Sequence, residues 1–177
     1  MEKDEIRAAI RAAKKEADKN QLAAWSEACC KNLLADPDII NARVVMLFHP
    51  LPDEINILPV LSALHALGKT VLLPEVIGPG EMWARVYDDE KNMSKSFFDI
   101  YIPKGAVFTE LDKIDVIVCP GIAFDRELHR LGRGRGFYDG FLKAAPRAVK
   151  IGIGYPFQLV ESVPVEPHDI CMDKLMI

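Results

Sequence analysis

The residues best suited to chemistry stand close together, in Arg130-Leu131-Gly132-Arg133-Gly134-Arg135-Gly136-Phe137-Tyr138-Asp139-Gly140. Glycines at 132, 134 and 136 free the backbone to turn several N–H groups towards one anion. A helix predicted to begin near Tyr138 would aim its positive end at the same point. Arg130, Arg133 and Arg135 add guanidinium forks that match phosphate oxygens. The pattern reads as a phosphate-binding loop followed by a carboxylate, Asp139, able to serve a cation. A flexible charged surface loop is the plain alternative. Arg-Gly-rich RNA-binding tracts are long and repetitive, whereas this segment is short and sits inside a folded pattern. A dinucleotide fingerprint would need glycine at Phe137 and a strand directly before it. Gly68-Lys69-Thr70 imitates the end of a Walker A motif, but Ala63 stands where its first glycine belongs.

Regular elements must hold this loop in place. Ile6, Ala9, Ile10, Ala13 and Ala17 recur at helical spacing and predict a helix over 3–18. A second helix is expected over 21–34, stopping at Asp36-Pro37. Residues 43–48 form a nearly continuous apolar run, as in buried parallel strands, broken by His49-Pro50-Leu51-Pro52. A helix from Glu54 or Asn56 to Leu67 ends at Gly68, a natural C-terminal cap. Strands are expected at 70–73, closed by Pro74, and at 82–87, with a polar loop over 88–96. Residues 115–119 give a buried strand closed by Pro120-Gly121, then come a helix over 138–144 and strands at 148–153 and 175–177. The alternation predicts an α/β three-layer sandwich with a mostly parallel central sheet, one domain over residues 1–177. Ligands of such sheets collect beyond the carboxyl ends of the strands. Residues 49–54 and 121–138 should therefore share one rim.

Composition narrows the function. A net charge of −4 argues against broad nucleic-acid binding. Cys29, Cys30, Cys119 and Cys171 form no CxxC pair, so a reduced, cytoplasmic setting is expected. Met1 leads straight into charged residues and predicts no signal peptide. No apolar run approaches the roughly 18 residues of a membrane span.

Pro120-Gly121-Ile122-Ala123-Phe124-Asp125, with Arg130-Leu131-Gly132 through Tyr138-Asp139, closely resembles the 5-formyltetrahydrofolate cyclo-ligase (5,10-methenyltetrahydrofolate synthetase) family. The resemblance extends more weakly over nearly the whole chain. It implies that Lys3 and Arg7, in Lys3-Asp4-Glu5-Ile6-Arg7, meet ATP phosphates together with Arg130, Leu131, Gly132, Arg133, Gly134, Arg135, Gly136, Phe137 and Tyr138. Arg133 and Arg135 would be the catalytic cations. It gives His49 and Glu54 to the pterin side of a folate, where a carboxylate can accept paired N–H donors. Tyr138 and Trp83 offer flat faces for stacking. Asp139 and Asp169 are the implied Mg²⁺ ligands. Phe137 replaces a tyrosine common in the family, and Arg135 a lysine. The family's Gly-Ile-x-Glu-Pro segment survives only as Asp99-Ile100-Tyr101-Ile102-Pro103, without the glutamate.

The implied activity is ATP-dependent conversion of 5-formyltetrahydrofolate to 5,10-methenyltetrahydrofolate, through phosphorylation of the formyl oxygen. Such transfer needs positioning and charge neutralisation more than a general base. The expected partners are small molecules acting on a monomer, with no nucleic acid or membrane. Two other readings are a different α/β enzyme of phosphorylated substrates and a non-catalytic folate or nucleotide binder.

Overall fold

The computed structural model describes residues 2–96 and 100–177. Three helices come first, α1 (Lys3–Glu16), α2 (Lys19–Ala35) and α3 (Pro37–Asn41), then β1 (Val44–Met46) and α4 (Leu58–Ala66). The strands β2 (Thr70–Gly78), β3 (Glu81–Tyr87), β4 (Met93–Lys95), β5 (Tyr101–Pro103), β6 (Val107–Phe108) and β7 (Val116–Pro120) follow. The small hairpin β8 (Ala123–Phe124) and β9 (Arg130–Leu131) precedes α5 (Phe137–Ala144), β10 (Val149–Ile153) and β11 (Lys174–Met176).

The main sheet runs in the order β11-β10-β7-β1-β2-β3-β6. Its first five strands are parallel, and β3 and β6 add antiparallel pairs at one edge. Side-chain alternation along the buried strands builds two cores. Val45, Leu47, Val71, Val116 and Ile151 pack with Leu33, Ile39 and Leu61 of α2, α3 and α4. Met46, Leu72, Ile117 and Cys119 pack with Phe141 and Leu142 of α5. These are the three layers expected. A third, smaller core joins Ile6 and Ile10 of α1 to Ile122, Ala123 and Leu131 of the hairpin.

Several boundaries depart from the sequence pattern for identifiable reasons. Strand β2 passes through Pro74 rather than stopping there, pairing Pro74 with Ala84 of β3. The Leu72 carbonyl accepts from Leu47, so Pro74, two residues on, faces the same side beyond the end of β1. No ladder donor is missed there. Helix α4 starts only at Leu58, with Pro59 in its first turn. Before it the Glu54 and Asn56 side chains accept from the Leu51 and Leu58 N–H groups, which holds 51–57 as an ordered loop. The polar loop over 88–96 contains β4, paired with β5. Asp99 lies outside the described residues.

Phe124, fully buried, packs where the backbone leaves no room for a side chain. A Cβ on Gly121 or Gly152 would approach its ring to 2.6 Å. The hairpin is thereby pressed onto the carboxyl ends of β7 and β10. We expect Gly152→Ala to destabilise the chain by about 1–3 kcal/mol through overpacking, with Phe124→Leu in the same chain recovering part of the loss. Urea unfolding measures both, and an unchanged midpoint for Gly152→Ala would contradict this packing.

Candidate active site

At the carboxyl edge of the parallel strands a cavity of about 560 Å³ opens between the hairpin, α1 and the loop after β1. Its lining includes Lys3, Arg7, His49, Glu54, every residue from Arg130 to Asp139, and Asp169. One cavity thus gathers every sequence-derived candidate except Trp83. Strand alternation gives that place to Met82, while Trp83 stays largely exposed.

The glycine loop is shaped by backbone and neighbours together. Gly134 (φ 94°) and Gly136 (φ 69°) adopt left-handed conformations that side chains resist. A Cβ on Gly134 would also stand 3.3 Å from the Arg7 guanidinium. Arg7 Nε donates to the Gly132 carbonyl at 3.1 Å, fixing the loop against α1. Gly136 is the N-cap of α5, whose first turn faces the cavity.

Arg130 differs from the other loop arginines in being 4% exposed at its side chain. It donates to the Pro120 carbonyl and to Asp139, both at 3.3 Å. Its guanidinium carbon lies 5.3 Å from the Tyr138 ring centroid. Arg130 Nε and the Tyr138 hydroxyl are buried without a hydrogen-bond partner among the described residues. Burial pushes the Tyr138 phenol well above its ordinary range.

Arg133 reaches across the cavity mouth, donating from Nη2 to Asp53 at 2.8 Å and to Glu54 at 3.1 Å. Lys14, at the far end of α1, donates to the other oxygen of Asp53 at 3.2 Å. Burial raises the Asp53 carboxyl, but Lys14 and Arg133 outweigh it and hold the group below the usual range. His49 stacks obliquely on Tyr101, with ring centroids 4.8 Å apart.

At the opposite end of α1, Lys3 donates to Glu166 at 2.8 Å and to Asp169 at 3.0 Å. Desolvation raises the Asp169 carboxyl, yet the Glu166 N–H and Lys3 bring it below its ordinary value. Glu166, His168 and Asp169 present ligand atoms within 4.8 Å of one another. The site already accommodates a positive charge in Lys3, and its two carboxylates suit a small hard cation. Asp139 Oδ1 accepts from the Ile170 N–H, so the fold brings Asp139 next to the segment carrying Asp169. Its other oxygen is engaged by Arg130.

Sequence reading passed over Lys14, Asp53, Glu166 and His168. Lys14 was discoverable, because residues 3, 7 and 14 fall on one stripe of a helix. Glu166 and His168 carry no such signal, since they belong to an irregular segment.

Asp125, from the same block as the glycine loop, lies outside the cavity. It is buried and accepts from the backbone N–H groups of Glu127, His129 and Val163 and from the His129 ring. These bonds shape the turn that delivers Arg130, including Leu128 at φ 70°.

A sequence profile of the 5-formyltetrahydrofolate cyclo-ligase family matches residues 1–177. The 5-formyltetrahydrofolate cyclo-ligase of Escherichia coli (strain K12) is 32% identical over 145 residues, spanning 78% of this chain and 79% of that one. That of Mycolicibacterium smegmatis is 30% identical over 144 residues, 77% of this chain and 74% of its own. Among solved structures, Aquifex aeolicus 5,10-methenyltetrahydrofolate synthetase superposes with a TM-score of 0.86 at 30% identity, over 99% of this chain and 89% of that one.

Burial raises the Asp125 carboxyl, and its N–H partners with His129 more than reverse this, leaving it below the ordinary value. A carboxyl depressed by folding stabilises the folded state above the unfolded pKa and loses that contribution as pH falls through the folded one. We expect Asp125→Ala to cost at least about 2 kcal/mol at pH 7 through buried donors left unpaired. The gap from wild type in urea should narrow at acid pH, and a pH-independent gap would count against this role.

Proposed function

This chain belongs to the 5-formyltetrahydrofolate cyclo-ligase family, and on that premise we propose how its cavity carries out the ATP-dependent conversion of 5-formyltetrahydrofolate to 5,10-methenyltetrahydrofolate. One observation carries the assignment of roles. The glycine loop, Lys3 and Arg7 of α1 and the loop bearing His49 and Glu54 open into one cavity, of a size ordinary for small-molecule sites.

ATP lies with its phosphates against Gly132, Gly134 and Gly136 and the first turn of α5. The N–H groups there, with Lys3, Arg7, Arg133 and Arg135, neutralise the phosphate oxygens. Arg130 acts from beneath the loop, while Leu131, Phe137 and Tyr138 form its walls. The folate enters from the side of His49 and Glu54, where the Glu54 carboxylate accepts from the pterin N–H donors. The apolar wall at Met82, Ile100 and Ile102 suits the flat body of the substrate.

The formyl oxygen then attacks the γ-phosphorus, ADP departs, and the formyl carbon carries a phosphate leaving group. N10 adds to that carbon, and phosphate leaves with the former formyl oxygen while the N10 proton is lost to it, closing the ring. The first step needs alignment and charge neutralisation, which Arg133 and Arg135 supply at the oxygens that gain charge. Asp169 and Asp139, with Glu166, would hold Mg²⁺, which when bound supplies further neutralisation on the phosphates. In this reading residues 1–177 work as one catalytic unit and as a monomer.

Mixing the protein with ATP, Mg²⁺ and 5-formyltetrahydrofolate should produce methenyl absorbance with ADP release. Intact nucleotide and no new absorbance would sink the proposal. Arg135→Ala should lower turnover by at least about 100-fold while folate binding largely survives. Unchanged turnover would remove Arg135 from the mechanism.

A further inference from the structure

The loop after β1 carries two adjacent carboxylates, and only Glu54 has a role in the reading above. Asp53 is set between two cations from different parts of the fold. Its Oδ1 accepts from Arg133 of the glycine loop at 2.8 Å, and its Oδ2 accepts from Lys14 of α1 at 3.2 Å. The Lys14 side chain is only 7% exposed, so that end of the pair is a fixed post and not a solvated contact. Both Arg133 bonds, to Asp53 and to Glu54, leave from Nη2. The guanidinium is held by one corner, and Nη1 and Nε remain for phosphate oxygens.

We propose that Asp53 is a positioning residue for the reaction, anchoring Arg133 at the mouth of the cavity so that its other nitrogens meet the nucleotide. The proposal rests on the assignment of ATP to the glycine loop and folate to Glu54. When the substrate takes up the Glu54 carboxylate, Arg133 loses one of its two anchors. Asp53, braced by Lys14, is the one that stays. It touches neither substrate, and it acts through Arg133 alone.

The test uses Asp53→Asn and the double variant Lys14→Met/Asp53→Asn, in which no buried ammonium is left without a partner. The double variant should unfold at the wild-type urea midpoint. It should still show ATP KM raised about tenfold or more, the effect of losing a charge-assisted bond, with the KM for 5-formyltetrahydrofolate changed less than about twofold. Full recovery of ATP KM in the double variant would reduce Asp53 to a partner of Lys14 and overturn the proposal. An Arg133→Met background gives an independent check, because adding Asp53→Asn there should leave ATP KM unchanged. An equal loss in that background overturns it as well. Calorimetric titration with ATP and Mg²⁺ reads the same anchor without turnover. If the wild type binds ATP but makes no methenyl product, the functional reading fails while the titration still judges Asp53. If the wild type binds no ATP, both fall.

Discussion

A guanidinium is buried at the heart of this fold, and much of the structure answers to it. Taking Arg130 out of water demands compensation from opposite charge and hydrogen bonds. The chain supplies Asp139 from the first turn of α5, the Pro120 carbonyl from the end of β7 and the face of Tyr138. Those partners belong to two pieces of backbone, α5 and the end of β7, and Arg130 itself to a third, so satisfying one side chain fixes hairpin, helix and sheet edge relative to one another. Two glycines follow from the same constraint. A Cβ on Gly132 would stand 3.0 Å from an Arg130 nitrogen, and one on Gly121 would stand 3.2 Å from its stem.

Above this buried layer lies a second arrangement of charge. Helix α1 aligns Lys3, Arg7 and Lys14 along one stripe, each with a different partner: the carboxylates of Glu166 and Asp169, the Gly132 carbonyl, and Asp53. The helix thereby touches three loops that are distant in sequence. Arg133 closes the circuit by joining the glycine loop to Asp53 and Glu54. Partly exposed pairs of this kind contribute little to stability individually. Their effect here is positional, since they hold the glycine loop and the loop after β1 at a set separation.

Much of this was legible in advance. Apolar runs such as residues 43–48 and 115–119 announce buried parallel strands, and the topology that follows puts both loops on one rim. The glycine–arginine alternation marks the loop that lines the cavity. Less legible was how differently the three arginines would be used. Arg130 is a buried strut and Arg133 a bridge to carboxylates, and nothing in the spacing separates those fates. Strand alternation could have favoured Met82 over Trp83, because Ala84 is the small apolar residue that marks the inward face. Pro74 misled because a proline ends a strand only when its nitrogen faces a partner, and that depends on where the neighbouring strand stops. Glu166 and His168 escaped altogether, since their segment is irregular and only tertiary contacts bring it to α1.

The third core has a thermodynamic meaning of its own. Helix α1 is docked by two buried isoleucines, Ile6 and Ile10, on the hairpin, each contributing about 1.5–3 kcal/mol. Ordering backbone opposes this at about 1–2 kcal/mol per residue, so the bonds of Lys3, Arg7 and Lys14 to three loops bear on how firmly α1 is seated. Its opening would withdraw Lys3, Arg7 and Lys14 together, leaving the glycine loop without its side wall. A molecule held by both the glycine loop and α1 would draw on the free energy of seating a helix, and would act as a clamp on the amino-terminal segment.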